Sequence, residues 1–194
     1  MPTPHVETRL LVAFHPDTTC PLPPVEQIVP MLKAIRDVGL PATWLLPNND
    51  AGSNRMRAAV ERFYTAINRR GEHQIHLYLT PTDYLRALRD CTVAVGNSSG
   101  FARDAGIFGT PVVLIGDRQR GRETAVNVCR IPGTSADLIR KTILRAIRSG
   151  RKTKSNLYGE PGVSDKIVTW LINHYMSKDK ATPPVGRCGN TFAQ

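Results

Sequence analysis

Six short apolar runs, separated by stretches of helical periodicity, constrain the fold of this chain more than any other feature. Arg9 to Phe14, Thr43 to Leu46, Gln74 to Leu79, Val93 to Val95, Val112 to Ile115 and a run near Asn127 to Ile131 read as strands. Helical patterns lie between them, at Val25 to Val38 (ending on Gly39), about Asn54 to Arg70, Thr82 to Arg89 and near Arg103 to Phe108. Ser135 to Ser149 puts Leu138, Ile139, Ile143, Leu144 and Ile147 on one stripe, and a last helix is expected from about Ser164 to Met176. Connections of this length join parallel strands, and a parallel sheet needs helices on both faces. With right-handed crossovers the expected α/β architecture is a Rossmann-like, doubly wound parallel sheet of about six strands. One such domain is expected over residues 1–177. Residues 178–194 carry Pro183-Pro184 and little apolar periodicity, and read as a disordered tail.

Composition narrows the classes of function. With 41% hydrophobic and 22% charged residues in 194, the chain can bury one core of ordinary size. No apolar stretch is long enough to span a bilayer, and the first nine residues lack the apolar segment of a secretory signal. A cytoplasmic protein is expected. Cys20, Cys91, Cys129 and Cys188 form no C-x-x-C pair, which speaks against zinc and against a disulfide framework. Cys91 and Cys129 flank strand-like runs and read as buried free thiols. No metal and no cofactor is expected. Much of the net charge of +10 comes from Arg140, Lys141, Arg145, Arg148, Arg151, Lys152 and Lys154. These read as a solvated face of a helix and the loop after it. No aromatic residues interleave with them, so nucleic acid is not the expected partner.

Open α/β sheets bind ligands outside the carboxyl ends of their strands, and four of those ends are polar here. Gly96-Asn97-Ser98-Ser99-Gly100 offers hydroxyls and backbone N–H groups at a helix start, a setting for an anion. Gly116-Asp117-Arg118-Gln119-Arg120-Gly121-Arg122 adds three arginines, whose planar forks suit phosphate. After the first strand, His15 in His15-Pro16-Asp17-Thr18-Thr19 can donate to a phosphate, transfer a proton, or bond the following turn. After the second, Asn48 can reach a ligand, while Ser53 serves as a helix N-cap. Ser99 likewise caps the next helix or touches the ligand. Asp104 falls early in that helix, placed for a ribose diol or for an ion pair with Arg103. A phosphorylated ligand follows.

These segments resemble the hydrolysing UDP-N-acetylglucosamine 2-epimerases of sialic-acid and capsule biosynthesis. The resemblance rests on His15-Pro16-Asp17-Thr18-Thr19, Pro47 to Ser53, Gly96-Asn97-Ser98-Ser99, Phe108-Gly109-Thr110-Pro111, Ile115 to Glu123, and Leu157-Tyr158-Gly159-Glu160-Pro161-Gly162. It spans about residues 9–176 and covers only the family's carboxyl-terminal domain, one half of a glycosyltransferase-B-type enzyme. It implies that His15 lies beside the phosphates and assists departure of UDP. It places Asn48, Ser98 and Ser99 on the phosphate end, and Arg118 and Arg122 as cationic or nucleotide contacts. Leu79 matches a position where the backbone meets the base. Asp104 stands where the family carries a ribose-binding glutamate, one methylene longer. The implied reaction removes the C2 proton as UDP leaves C1, giving a glycal, and then adds water with inversion at C2. UDP and N-acetylmannosamine are released. The acid/base carboxylates belong to the amino-terminal half, the expected partner of this one, so these residues alone are expected to bind UDP weakly without turnover. Homo-oligomers are compatible with the resemblance. The alternatives are a UDP-sugar glycosyltransferase domain, or a non-catalytic module that binds nucleotide or nucleic acid.

Overall fold

The structure, a computed structural model, describes residues 8–68 and 70–176. Six strands alternate with helices: β1 (Leu10–Ala13), α1 (Pro24–Val38), β2 (Ala42–Leu45), α2 (Ser53–Ile67), β3 (Gln74–His76), α3 (Pro81–Asp90), β4 (Val93–Gly96), α4 (Ser99–Phe108), β5 (Val112–Ile115) and β6 (Val128–Ile131). Then follow α5 (Ala136–Ser149) and α6 (Val163–Met176). The strands form one sheet in the order β3-β2-β1-β4-β5-β6, every pair parallel. This is the doubly wound α/β sheet that the alternation predicts.

Burial on both faces explains why the strands read as apolar runs. Along β1, Leu10 and Val12 enter a cluster with Ile28, Met31 and Ile35 of α1, Met56 of α2, and Ile139 and Ile143 of α5. Leu11 and Ala13, pointing the other way, join Leu88 of α3 and Phe101 and Ala105 of α4. Trp44 of β2 is 1% exposed and meets Phe63 edge-on, ring centroids 5.6 Å apart. Full burial of such a side chain contributes roughly 1.5–3 kcal/mol, so the two clusters dominate the favourable side of folding.

Several boundaries and environments differ from the sequence reading, each for a local reason. β3 stops at His76, three residues before Leu79, because it pairs with β2 alone and β2 ends at Leu45. The last backbone bond of that pairing runs from Leu46 N–H to the His76 carbonyl, and Leu77 and Tyr78 stand exposed beyond it. α4 begins at Ser99 instead of near Arg103, since the helix starts as soon as the chain leaves Gly96 and Asn97. Cys91 is a buried free thiol, pushed up to about 12 chiefly by burial, but Cys129 is exposed because β6 is an edge strand. Arg151 is not merely a solvated charge: its guanidinium donates to backbone carbonyls at the carboxyl ends of α3 and α4. Cys188 and the 178–194 tail lie outside the described residues. Among those described, no helix is long and apolar enough to cross a membrane. The described residues divide into two compact units, 8–158 and 159–176. The second consists of α6 and the turn before it, with Trp170 stacked on His174 at 4.2 Å.

Candidate functional site

The chain crosses from one side of the sheet to the other between β1 and β4, which opens a crevice at their carboxyl ends. Gly96 makes the crevice possible. Its φ is +145°, and a Cβ there would lie 1.8 Å from the Ala13 carbonyl oxygen, so only glycine fits. Asn97, 2% exposed, is thereby brought against His15. Its Oδ1 accepts from the His15 N–H at 2.7 Å, and its Nδ2 donates to the His15 carbonyl at 2.7 Å. The Asn97 carbonyl accepts in turn from Gln119 Nε2 at 3.1 Å and from Arg118 at 3.5 Å. One buried amide thus joins the first loop to the arginine-rich one.

The His15 ring is a donor, not a cation. Its Nδ1 accepts from the Asn48 N–H at 3.2 Å, so the neutral ring carries its proton on Nε2. Burial, reinforced by the nearby Arg118 guanidinium, lowers its pKa to about 4, against the opposing pull of Asp50. Arg118 is itself held by Asp50, 3.0 Å from its carboxylate. Arg122 donates to the Gln119 side chain at 3.0 Å, and Arg130 of β6 donates to the Gln119 carbonyl at 2.7 Å and to that of Arg122. The residues around His15 are fixed too. Gln27 accepts from the Asp17 N–H and donates to the Asp17 and Leu22 carbonyls, and Asp17 accepts from the Thr19 amide and hydroxyl. A cavity of about 640 Å³ opens beside Asn97 and Arg118, walled by Phe14, Gln27, Ile115 and the 132–134 loop.

The start of α4 completes the site. Ser98, not Ser99, is its N-cap, and the Ser98 side chain makes no capping hydrogen bond. α3 is different: Thr80 accepts from the Asp83 N–H. The α4 start therefore presents helical N–H groups with two partly exposed hydroxyls, an arrangement that attracts an anion. Gly52, at φ +85°, caps α2 in place of Ser53, which is buried as the first helical residue. Asp104 is the sixth residue of α4, mid-helix, 3.5 Å from Arg103. Asn48 reaches His15 through its backbone, and its exposed side chain remains at the rim. The structure brings His15, Asn48, Ser98, Ser99 and Arg118 to one edge, with Arg122 on its outer margin. Of the candidate residues named from the sequence, only Arg118 lines the cavity of about 640 Å³, and Leu79 lies elsewhere. It lines a separate hollow with Thr43, His76 and Asp83. Asn97, Asp50, Gln119 and Arg130 were not singled out as candidates. Asn97, Asp50 and Gln119 lie inside the strand-end motifs read from the sequence, whereas Arg130 carries no local signal.

Chemically the edge offers donors: an imidazole N–H, two serine hydroxyls, helical amides and a guanidinium. Its carboxylates Asp17 and Asp50 are already engaged by Thr19 and Arg118. Among the described residues no cluster of three His, Cys, Asp or Glu is placed to hold a metal.

Known proteins share this fold. The UDP-N-acetylglucosamine 2-epimerase family profile matches residues 4–172. A curated relative, the hydrolysing UDP-N,N'-diacetylbacillosamine 2-epimerase of Legionella pneumophila, is 27% identical over 145 residues, covering 75% of this chain and 37% of that protein. The S. aureus MnaA structure with UDP superposes with a TM-score of 0.63 at 17% identity, over 92% of this chain and 48% of that one. The UDP-GlcNAc 2-epimerase of Neisseria meningitidis, bound to UDP-GlcNAc, gives 0.64 at 12% identity, over 86% and 45%. The chain thus spans about half the length of these structures, and less of the curated relative.

Proposed function

Because the chain belongs to the UDP-N-acetylglucosamine 2-epimerase family, we propose that it is the UDP-binding half of a hydrolysing member. Its ligand is UDP on a UDP-linked 2-acetamido sugar, in the making of sialic acid or a surface polysaccharide in the cytoplasm. The hydrolysing relative and the UDP-bound neighbours support this reading. The observation that carries it is the set of donors converging at the α4 start, with His15 held neutral by burial.

In this reading Ser98, Ser99 and the first α4 amides receive the diphosphate. Arg118 offsets the charge that develops as the C1–O bond breaks, and His15 donates its Nε2 proton toward the departing phosphate oxygen. Asn48 sets the His15 tautomer, Arg122 adds charge at the rim, the Leu79 backbone meets the base, and Asp104 receives the ribose. The C2 proton leaves to a base on the other half, giving a glycal and UDP. Water then adds across the double bond with inversion at C2, yielding the 2-epimeric free sugar. Binding by this half alone cannot lower that barrier without the base. The test joins these residues to the other half and follows the products by NMR. Free N-acetylmannosamine and UDP are expected, with negligible turnover by the 194 residues alone. Transfer of the sugar to an acceptor, or native-like rates from these residues alone, would overturn the proposal.

A further inference from the structure

Tyr84, on α3, has a hydroxyl with no hydrogen-bond partner although the oxygen is fully buried. A buried, unpaired hydroxyl costs folding free energy, and such an atom calls for a reason. Its surroundings supply one. A methyl at Gly100 would lie 2.3 Å from the Tyr84 oxygen and 3.3 Å from Asp104 Oδ2, so the two oxygens face the same small space on α4. Gly100 has no positive φ to satisfy; what its missing Cβ provides here is room. Burial first, then the Asp104 charge, push the phenol well above its ordinary pKa, so the group stays protonated as a donor. Asp104 in this structure leans instead toward the exposed Arg103, at 3.5 Å.

We propose that Tyr84 is a positioning residue for Asp104: when ligand binds, the carboxylate turns from Arg103 to accept the Tyr84 hydroxyl on one oxygen and the ribose diol on the other. The inference rests on the UDP reading above, in which Asp104 meets the ribose. An aspartate is short, and a second anchor inside the protein sets where its free oxygen can reach. The pair then distinguishes a ribonucleotide from a nucleotide lacking the diol, because only the former gives the held carboxylate its donors.

UDP titration of the 194-residue chain, followed by NMR, tests this with Tyr84→Phe, Tyr84→Phe/Asp104→Glu and the 2′,3′-dideoxy analogue of UDP. Loss of one charge-assisted hydrogen bond is expected to weaken UDP by about tenfold in Tyr84→Phe. The dideoxy analogue should bind both proteins equally, and the longer glutamate should restore UDP binding without the hydroxyl. The melting temperature of Tyr84→Phe should not fall, since an unpaired buried hydroxyl has been removed, so a merely structural role predicts a different pattern. Unchanged UDP affinity in a folded Tyr84→Phe would overturn the pairing alone. So would equal binding of UDP and the dideoxy analogue by the unmodified chain, a result that needs no variant. An unmodified chain that binds neither would overturn the UDP reading and the pairing with it.

Discussion

The two edges of the sheet both gather arginines, loops and helix ends, yet they are built on opposite plans. At the amino edge, Arg151 donates to Thr110 Oγ1 at 2.7 Å, to the Phe108 and Cys91 carbonyls and to that of Arg89. The Thr110 hydroxyl donates to the Leu88 carbonyl, and Asn127 Nδ2 donates to the Thr110 carbonyl. Lys152 and Ser155 amides close on the Gly109 and Gly106 carbonyls. The donors there meet acceptors from the ends of α3 and α4, the groups that helix C-termini leave unmet. At the carboxyl edge the interior amides of Asn97 and Gln119 are matched in the same way. The outer layer is not: the Ser98 side chain leaves α4 uncapped. One edge meets its donors within the chain, with Asn127 Oδ1 left as a buried acceptor, and the other leaves the first α4 amides without a side-chain cap. The first plan serves stability, and the second is the one on which the proposed UDP site rests.

Gly96→Ala is the most severe way to break that division, because the crevice and the core share this residue. The new Cβ would sit 1.8 Å from the Ala13 carbonyl and adopt a φ that side chains avoid. β1 and β4 would have to part. A loss of more than about 4 kcal/mol is expected, enough to remove most of the stability of a domain this size. Circular dichroism of the purified variant should show no cooperative melt. A folded variant with near-normal melting would mean that the sheet tolerates a shift at its centre.

Arg151→Met and Arg118→Met separate the two edges directly. Removing Arg151 leaves carbonyls and the Thr110 hydroxyl short of a charged donor, and a loss of about 2–3 kcal/mol is expected with UDP affinity unchanged. Removing Arg118 breaks a partly exposed pair, its side chains 23% and 34% exposed, so stability should move by less than about 1 kcal/mol. UDP affinity should fall by about tenfold or more, since a cation facing a diphosphate is lost. Urea melts and UDP titrations on both variants would show the crossed pattern. A parallel pattern, with both readouts moving together in each variant, would erase the distinction between the edges.

Most of the fold was legible because burial leaves a periodic mark. Leu10 to Ala13 and Val112 to Ile115 are apolar without a break since both faces are covered. Gly39 marked the end of α1 because the chain there needs a left-handed residue. Where pairing decided the outcome the sequence was silent. Leu77 and Tyr78 continue the alternation of β3 but have no strand to pair with, and Cys129 is exposed only because nothing follows β6 in the sheet. The site divides in the same way. His15, Ser98 and Arg118 stand in compact motifs at strand ends and could be named. Asp50 and Gln119 stand in the same motifs, but their parts, like those of Arg130 and Tyr84, come from contacts between segments far apart in the chain, which no local spacing encodes.

A dependence of stability on pH should follow as well, carried chiefly by the open edge. His15 has its pKa lowered to about 4 in the folded protein, against 6.5 ordinarily. Between those values the unfolded chain binds a proton that the folded one refuses, so stability falls as pH falls through the window, by up to about 1.4 kcal/mol per unit. His73, just before β3 at the amino edge, is shifted downward as well, mainly by burial, so part of the slope, of the same sign, remains without His15. At the amino edge Asp90 is held below the ordinary carboxylate value by its hydrogen bond from Arg89, so it titrates beneath this window, and the carbonyls around Arg151 do not titrate at all. His15→Gln should therefore flatten most of the slope between pH 6.5 and 4 in urea melts, and Arg151→Met should lower the whole curve while preserving its slope. If Arg151→Met flattened it instead, the charge sensitivity would lie at the closed edge, and the open one would lose its claim to be where this protein meets a changing charge.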